Sequence, residues 1–125
     1  MKSLIAGTCL TMLAPFSAVA EPAYLIAQIQ VDDWDSFMTN YGGAAIPTVL
    51  EYGGKVLVGG PGTVSVEGDW PGNHTVVIEF ESMEMAQAWY DDADYEAARP
   101  LRFQDTSLNN LAFAPGFLPP AQYRH

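Results

Sequence analysis

EGDWPGNHTVVIEFESMEMAQAWYDDADYEAARPLR, residues 67–102, is the stretch whose reading decides the fold. A turn-rich loop, Gly68-Asp69-Trp70-Pro71-Gly72-Asn73, runs into His74–Glu81 (HTVVIEFE), a β-branched and aromatic run that predicts a strand. Ser82 is then a good N-cap for a helix from Met83 to about Tyr90, with Glu84 in its first turn. The acids of Asp91-Asp92-Ala93-Asp94 start a second short helix, which runs through Arg99 or a little beyond, with Pro100 near its end.

Upstream, Ala23–Val31 (AYLIAQIQV) alternates as a strand, with Leu25, Ala27, Ile29 and Val31 on one face and Tyr24, Ile26, Gln28 and Gln30 on the other. Asp32-Asp33-Trp34-Asp35 reads as a helix start, acids against the positive end of the helix dipole. Trp34, Phe37, Tyr41, Ala45, Val49 and Tyr52 then recur at steps of three and four, a helical stripe. Gly42-Gly43 and Pro47 interrupt it, so the expectation is a kinked helix or two pieces ending at Gly53-Gly54. Lys55–Gly59 (KVLVG) is a short strand, and Thr63–Glu67 (TVSVE) alternates as its hairpin continuation beyond the Gly60-Pro61-Gly62 turn. No helix follows these glycines, which removes the phosphate-loop reading. Downstream, Ser107–Ala114 (SLNNLAFA) is the last strand and Pro115–His125 a proline-rich tail.

The order strand, helix, strand, strand, helix, strand predicts an α+β fold. It is the ferredoxin-like βαββαβ arrangement, an antiparallel sheet with its helices on one face. Leu25, Ala27, Ile29, Val31, Val56, Val58, Val64, Val66, Val76, Ile78, Phe80, Leu111 and Phe113 are expected to face the helices. Tyr24, Ile26, Gln28, Gln30, Leu57, Thr75, Val77, Glu79, Asn110 and Ala112 take the other face. That mixture is too apolar for plain solvent surface and too polar for a core, and pairing two such sheets across a dimer axis buries it. A homodimer is therefore expected.

The chain has 125 residues, and its start has the three parts of a secretory signal. Lys2 leads, Leu4–Phe16 is largely apolar, and Ala18-Val19-Ala20 offers small residues to a peptidase before Glu21. Residues 1–20 are thus read as a signal peptide, 21–117 as one domain and 118–125 as a C-terminal tail, in a periplasmic or secreted protein with no membrane anchor after processing. Cleavage removes Cys9, the single cysteine, and with it disulfides, thiolate catalysis and cysteine-based zinc sites. The fifteen acids all follow the signal and face only Lys55, Arg99, Arg102 and Arg124, a formal charge of −11. A surface of that sign repels nucleic acid, which is not expected as a partner.

No nucleophile motif, metal cluster or phosphate loop is present, so candidate chemistry rests on isolated side chains. His74 stands at a strand mouth beside Trp70, as a general base or as a strand-end histidine half in solvent. Glu79, among apolar neighbours and alongside Gln28 if the first and third strands pair, is either a proton carrier or a hydrogen-bonding partner across the dimer interface. Arg99 and Arg102 clamp a carboxylate or pair with surrounding acids. Trp89, Tyr90 and Tyr95 form an aromatic wall at helical spacing, and Trp70, in a loop, is a candidate lid. Asp91, Asp92, Asp94 and Glu96 lack the alternation and glycine of a calcium loop, and one histidine inside the domain, His125 being in the tail, is thin support for haem. No metal and no cofactor are expected.

The segments GGKVLVGG (53–60), EGDWP (67–71), VVIEF with SMEMAQAWY (76–90) and YEAARPLR (95–102) together resemble the domain-of-unknown-function 1330 family. The resemblance covers roughly residues 23–117 and implies a dimeric α/β barrel. In that family's pattern an arginine often precedes VVIEF and a basic residue lies near Gly59. His74 and Gly59 stand there in this chain, which removes the basis for an anion pocket at those positions. The resemblance implies no settled activity. Two readings follow. One is a homodimer binding a small, uncharged or weakly anionic organic molecule, as a cofactor-independent enzyme with Glu79 or His74 as proton carrier, helped by Arg99 and Tyr95. The other is a non-catalytic binding or interaction module whose mixed sheet face is only a dimer interface. An enclosed cavity holding at least two of these polar groups favours the first; a filled interior favours the second.

Overall fold

The computed structural model describes residues 21–124, so the expected signal peptide lies outside the described residues. Strands β1 (Ala23–Val31), β2 (Lys55–Val58), β3 (His74–Phe80) and β4 (Thr106–Pro115) form one antiparallel sheet in the order β2-β3-β1-β4. Between β1 and β2 runs one continuous helical rod: α1 (Trp34–Ser36), a π-helical segment (Phe37–Gly42) and α2 (Gly43–Glu51). Between β3 and β4 come α3 (Met83–Asp91) and α4 (Ala93–Gln104). This is the α+β, ferredoxin-like order anticipated from the sequence. Among the described residues no helix is long and apolar enough to cross a membrane.

The period-two pattern sets the two sheet faces. Leu25, Ala27, Ile29 and Val31 are buried under the helices, as are Ile78 and Phe80 from β3. Registers Leu25↔Phe113, Ala27↔Leu111 and Leu25↔Ile78 keep the three strands in phase, because residues directly opposite share a face. On the other face Ile26 lies between Val77 and Ala112, and Gln28 between Thr75 and Asn110.

Two expectations fail at the β2 edge. A register shift between Val56 and Val58 sets Val58 opposite Val77, so Val58 leaves the helix face while Val56, opposite Ile78, keeps it. Thr63–Glu67 is no strand. A single bridge, Pro61↔His74, ends the ladder, and Val64 and Val66 are 80% and 90% exposed rather than facing helices. Positive φ at Gly60, Gly62 and Gly68 turns the chain away from the edge before a second pairing can form. The same loop returns through Gly72, whose φ of 87° and near-contact with the Ile29 carbonyl (a Cβ there would lie 2.5 Å from the oxygen) admit only glycine. Asn73 is thereby pressed against β1, where its side-chain amide accepts from Val31 N–H at 2.8 Å and donates to Val31 C=O at 2.9 Å.

The interruption expected at Gly42-Gly43 is a widening, not a break. Gly43 N–H reaches back to the Met38 carbonyl, five residues earlier, and the chain continues without a gap into α2 and through Pro47. Stepping by four residues overshoots a turn of 3.6, and the wider π turn offsets that drift. Phe37, Ala45 and Val49 therefore stay buried on one line, with Tyr41 half-buried between them.

Asp92 starts α4, its carboxylate accepting from the Asp94 and Tyr95 amides and from the Tyr52 hydroxyl at 2.8 Å. The Tyr52 bond is the main cause that holds the Asp92 carboxyl below the ordinary carboxylate range, with the two amides adding and desolvation opposing. A lowered native value means the native state binds this proton later than the unfolded chain. The stabilisation is complete above the ordinary carboxylate range and is lost as pH falls through the lowered value. Asp92→Asn keeps a capping acceptor but cannot titrate, so its deficit in urea midpoint against the parent chain should narrow between about pH 5 and about pH 2. A deficit constant across that window removes Asp92 as the titrating group. Pro100, expected near the end of this helix, sits inside it, and α4 runs on to Gln104.

Candidate functional site

A cavity of about 190 Å³ lies between the helical rod and the sheet. Its floor is apolar: Leu25, Ala27 and Ile29 from β1, Val76 and Ile78 from β3, and Leu111 from β4. Its roof is the π-helical segment and the start of α2, through Phe37, Met38, Tyr41, Ala45 and Ile46. The exposed lining residues Met38, Ile46, Val56 and Gly59 mark a mouth between the rod and the edge strand. A cavity of about 150 Å³ with apolar walls holds a benzene ring, which sets the scale of what fits here. A π segment over a cavity is a frequent mark of a functional site, since the widened turn re-aims side chains that a regular helix would stack.

Three polar side chains line this apolar space, namely His74, Tyr41 and Arg102. His74 is not half in solvent but 6% exposed, on the helix-facing side of β3. Its Nδ1 lies 3.0 Å from the Gly60 carbonyl, an acceptor only, so the proton sits on Nδ1 and Nε2 is left to accept or exchange one. Trp34 and Phe37 meet the imidazole edge to face at 5.0 and 5.6 Å and fix its plane. The Tyr41 hydroxyl is 2.7 Å from that of Tyr95. Burial pushes the Tyr41 phenol far above its ordinary value, Tyr95 adds to the shift, and the Arg102 charge opposes it, so Tyr41 stays a neutral donor or acceptor. Arg102 is 2% exposed; its guanidinium lies 5.8 Å from the Tyr41 ring centre and 4.9 Å from that of Phe103.

The other residues singled out from the sequence lie elsewhere. Glu79 is on the opposite face of the sheet from His74, so one protomer cannot bring the two together in one site. It accepts a 2.9 Å hydrogen bond from the Tyr24 hydroxyl, its partner across β1, which raises the Tyr24 phenol. Gln28 does not adjoin it; Gln28 faces Thr75 and Asn110, and accepts from Asn110 Nδ2 at 3.4 Å. Trp70 is no lid over this cavity: it donates to the Thr75 hydroxyl at 3.1 Å, beside the open face. Tyr95 is fully buried against Trp89, with ring centres 4.1 Å apart. Arg99 stacks on Tyr90 at 4.0 Å and donates to the Tyr90 carbonyl at 2.7 Å, rather than pairing with an acid. Glu51, Asp92 and Asp94 bring carboxylate oxygens within 4.8 Å of one another at the surface, but the Asp92 oxygens are already committed to Tyr52 and the α4 amides.

Sequence reasoning treated Tyr41 only as a member of the helical stripe and did not see that the stripe covers a space. A sharper signal was available for Arg102. Tyr95, Ala98 and Arg102 fall at i, i+3 and i+7, so the arginine continues the buried stripe of α4.

The chain superposes on a protein of unknown function from Rhodopseudomonas palustris with a TM-score of 0.66 and 17% identity, covering 79% of this chain and 85% of that one. A candidate antibiotic biosynthesis monooxygenase from Caulobacter crescentus CB15 superposes with a TM-score of 0.59 and 13% identity, covering 80% and 93%. A dimeric ferredoxin-like protein of unknown function from Bacteroides fragilis does so with a TM-score of 0.52 and 11% identity, covering 76% and 96%. At such identities the likeness is one of fold. No curated protein matches the sequence. Residues 22–117 match the family described as Domain of unknown function (DUF1330), and the chain belongs to it.

Proposed function

We propose that the chain is exported, loses residues 1–20, and acts in the periplasm or outside the cell as a homodimer that binds a small organic molecule in the cavity of each protomer. His74 is the group placed to exchange a proton with that molecule. The observation that carries this reading is the cavity itself, an apolar space of about 190 Å³ with His74, Tyr41 and Arg102 on its wall. An interior filled with side chains would have favoured a module that only associates. The dimer draws support from the half-apolar open face and from the dimeric ferredoxin-like protein of Bacteroides fragilis. Glu79, held by Tyr24 on that open face, belongs to the interface rather than to the proton transfer.

Native mass spectrometry of the exported, undenatured protein tests this. The expected result is a dimer carrying a reproducible small added mass. That mass should be lost in His74→Ala or bind at least about tenfold more weakly, the loss typical of one buried polar contact, and should persist in Glu79→Gln. A bare monomer, or a mass indifferent to His74 and sensitive to Glu79, overturns the reading.

A further inference from the structure

The cavity wall carries a charge that no acid among the described residues neutralises. Arg102 sits near the end of α4, where Thr106 Oγ1 and Asp105 N–H take up its backbone carbonyl. Its side chain is 2% exposed, and its Nε and Nη1 have no hydrogen-bond partner among the described residues. The guanidinium stays protonated under all ordinary conditions. Rings at 4.9 and 5.8 Å interact with the π face of the group, and the negative end of the α4 dipole lowers the cost of its charge. Neither provides an acceptor for N–H groups, which lie in the guanidinium plane. Arg99, one turn earlier and only half-buried, also leaves its Nε without a partner, but it stacks on Tyr90 and donates through Nη2 to a backbone carbonyl. Arg102 has the stacking without the acceptor.

We propose that Arg102 is the anion-binding residue of this cavity, and that the molecule bound is a small organic monoanion, a carboxylate whose apolar body is about the size of one six-membered ring. This rests on the small-molecule reading above and gives it a chemical class. The apolar floor takes the ring, and the volume limits its size. One carboxylate matches Arg102, the one arginine lining the cavity, whose guanidinium keeps donors without a partner among the described residues. His74 lines the same space, so the molecule also meets a group able to exchange a proton. A dianion would leave one negative charge without a buried partner, against a formal charge of −11 on the processed chain.

The test is isothermal titration calorimetry of the exported protein with sodium benzoate and sodium cyclohexanecarboxylate, each against its uncharged amide of the same shape. Each acid should bind at least about tenfold more tightly than its amide, the scale of one desolvated charge-assisted contact. In Arg102→Met that preference should vanish while amide affinity stays within about threefold, since Met replaces the arginine stem by an apolar chain of similar reach. Arg102→Lys, which keeps the charge but not the planar donors, should retain an intermediate preference and guards against a Met variant that fails to fold. Thermal melting supplies a readout independent of ligand: without ligand, Arg102→Met should melt no lower than the parent, because it removes a buried unpaired charge. Equal affinities for acid and amide in the parent protein overturn the anion assignment and leave the cavity reading standing. Absence of binding by all four compounds overturns both. A Met variant that melts well below the parent makes Arg102 structural and overturns the assignment as well.

Discussion

Replacing Trp89 with alanine is expected to cost about 3–5 kcal/mol, a large part of the whole stability of a domain this size. Trp89 is 1% exposed and ties α3 to three other elements of the fold. Its ring lies 4.1 Å from Tyr95 of α4 and 5.4 Å from Phe80 of β3, and its Nε1 donates to Thr48 of α2 at 3.0 Å. Truncation removes apolar contacts on two sides, leaves the Thr48 hydroxyl without its donor, and opens the inner wall of the cavity, which Trp89 also lines. Urea unfolding followed by far-ultraviolet circular dichroism should show a midpoint far below the parent's with an unchanged slope, or a chain unfolded without denaturant. Trp89→Phe should recover much of the loss but not the bond to Thr48. A cost below about 1 kcal/mol for the alanine variant would mean that α3 does not pack as described.

This keystone was readable from the sequence, and the reason is local. Trp89 sits at helical spacing from Ala86 behind a Ser82 cap, and such a pattern has one way to hide a large ring. The faces of β1 and β3 were readable for the same reason: alternation specifies a side, whichever strand lies next door. Thr63–Glu67 shows where that logic stops. TVSVE has the period of a strand, but period supplies no partner, and the edge offered by β2 ends at a single bridge beside glycines with positive φ. Val58 failed similarly, since a bulge is a property of a pair of strands and one strand's pattern does not contain it.

The site was harder to read because its cover comes from far along the chain. His74 looks like a strand-end residue until Trp34 and Phe37, some forty positions upstream, close over it. Glu79 and His74 stood as alternative proton carriers, and five positions along a strand place them on opposite faces, so the alternation already made them two different sites. The π turn was foreshadowed only as weakness at Gly42-Gly43 and Pro47. Whether such a weak point breaks, kinks or widens depends on what the stripe on either side has to cover, which is a tertiary matter.

The second large effect concerns the open face. Ile26→Asp is expected to convert the proposed homodimer into a folded monomer at micromolar concentration, weakening association by at least about a hundredfold. Ile26 is 37% exposed in the protomer, and its register partners Val77 and Ala112 flank it at the middle of the sheet. Within one chain an aspartate there still reaches water, so the fold should survive with a small loss of stability. Across a two-fold axis the same substitution enters twice, and both carboxylates would be taken out of water between apolar neighbours. Lysine is a weaker probe, because its long stem can carry the charge to the rim. Ala97→Asp is the matched control: it adds the same charge at an exposed position of α4, on the helix side of the sheet, and should leave association untouched. Sedimentation velocity separates the outcomes. A dimer that persists in Ile26→Asp removes the open face as the interface, and a parent chain that sediments as a monomer removes the dimer. Loss of the dimer in Ile26→Asp alone, with carboxylate binding retained, would place assembly and ligand recognition on opposite faces of one sheet, as the separation of Glu79 from His74 requires.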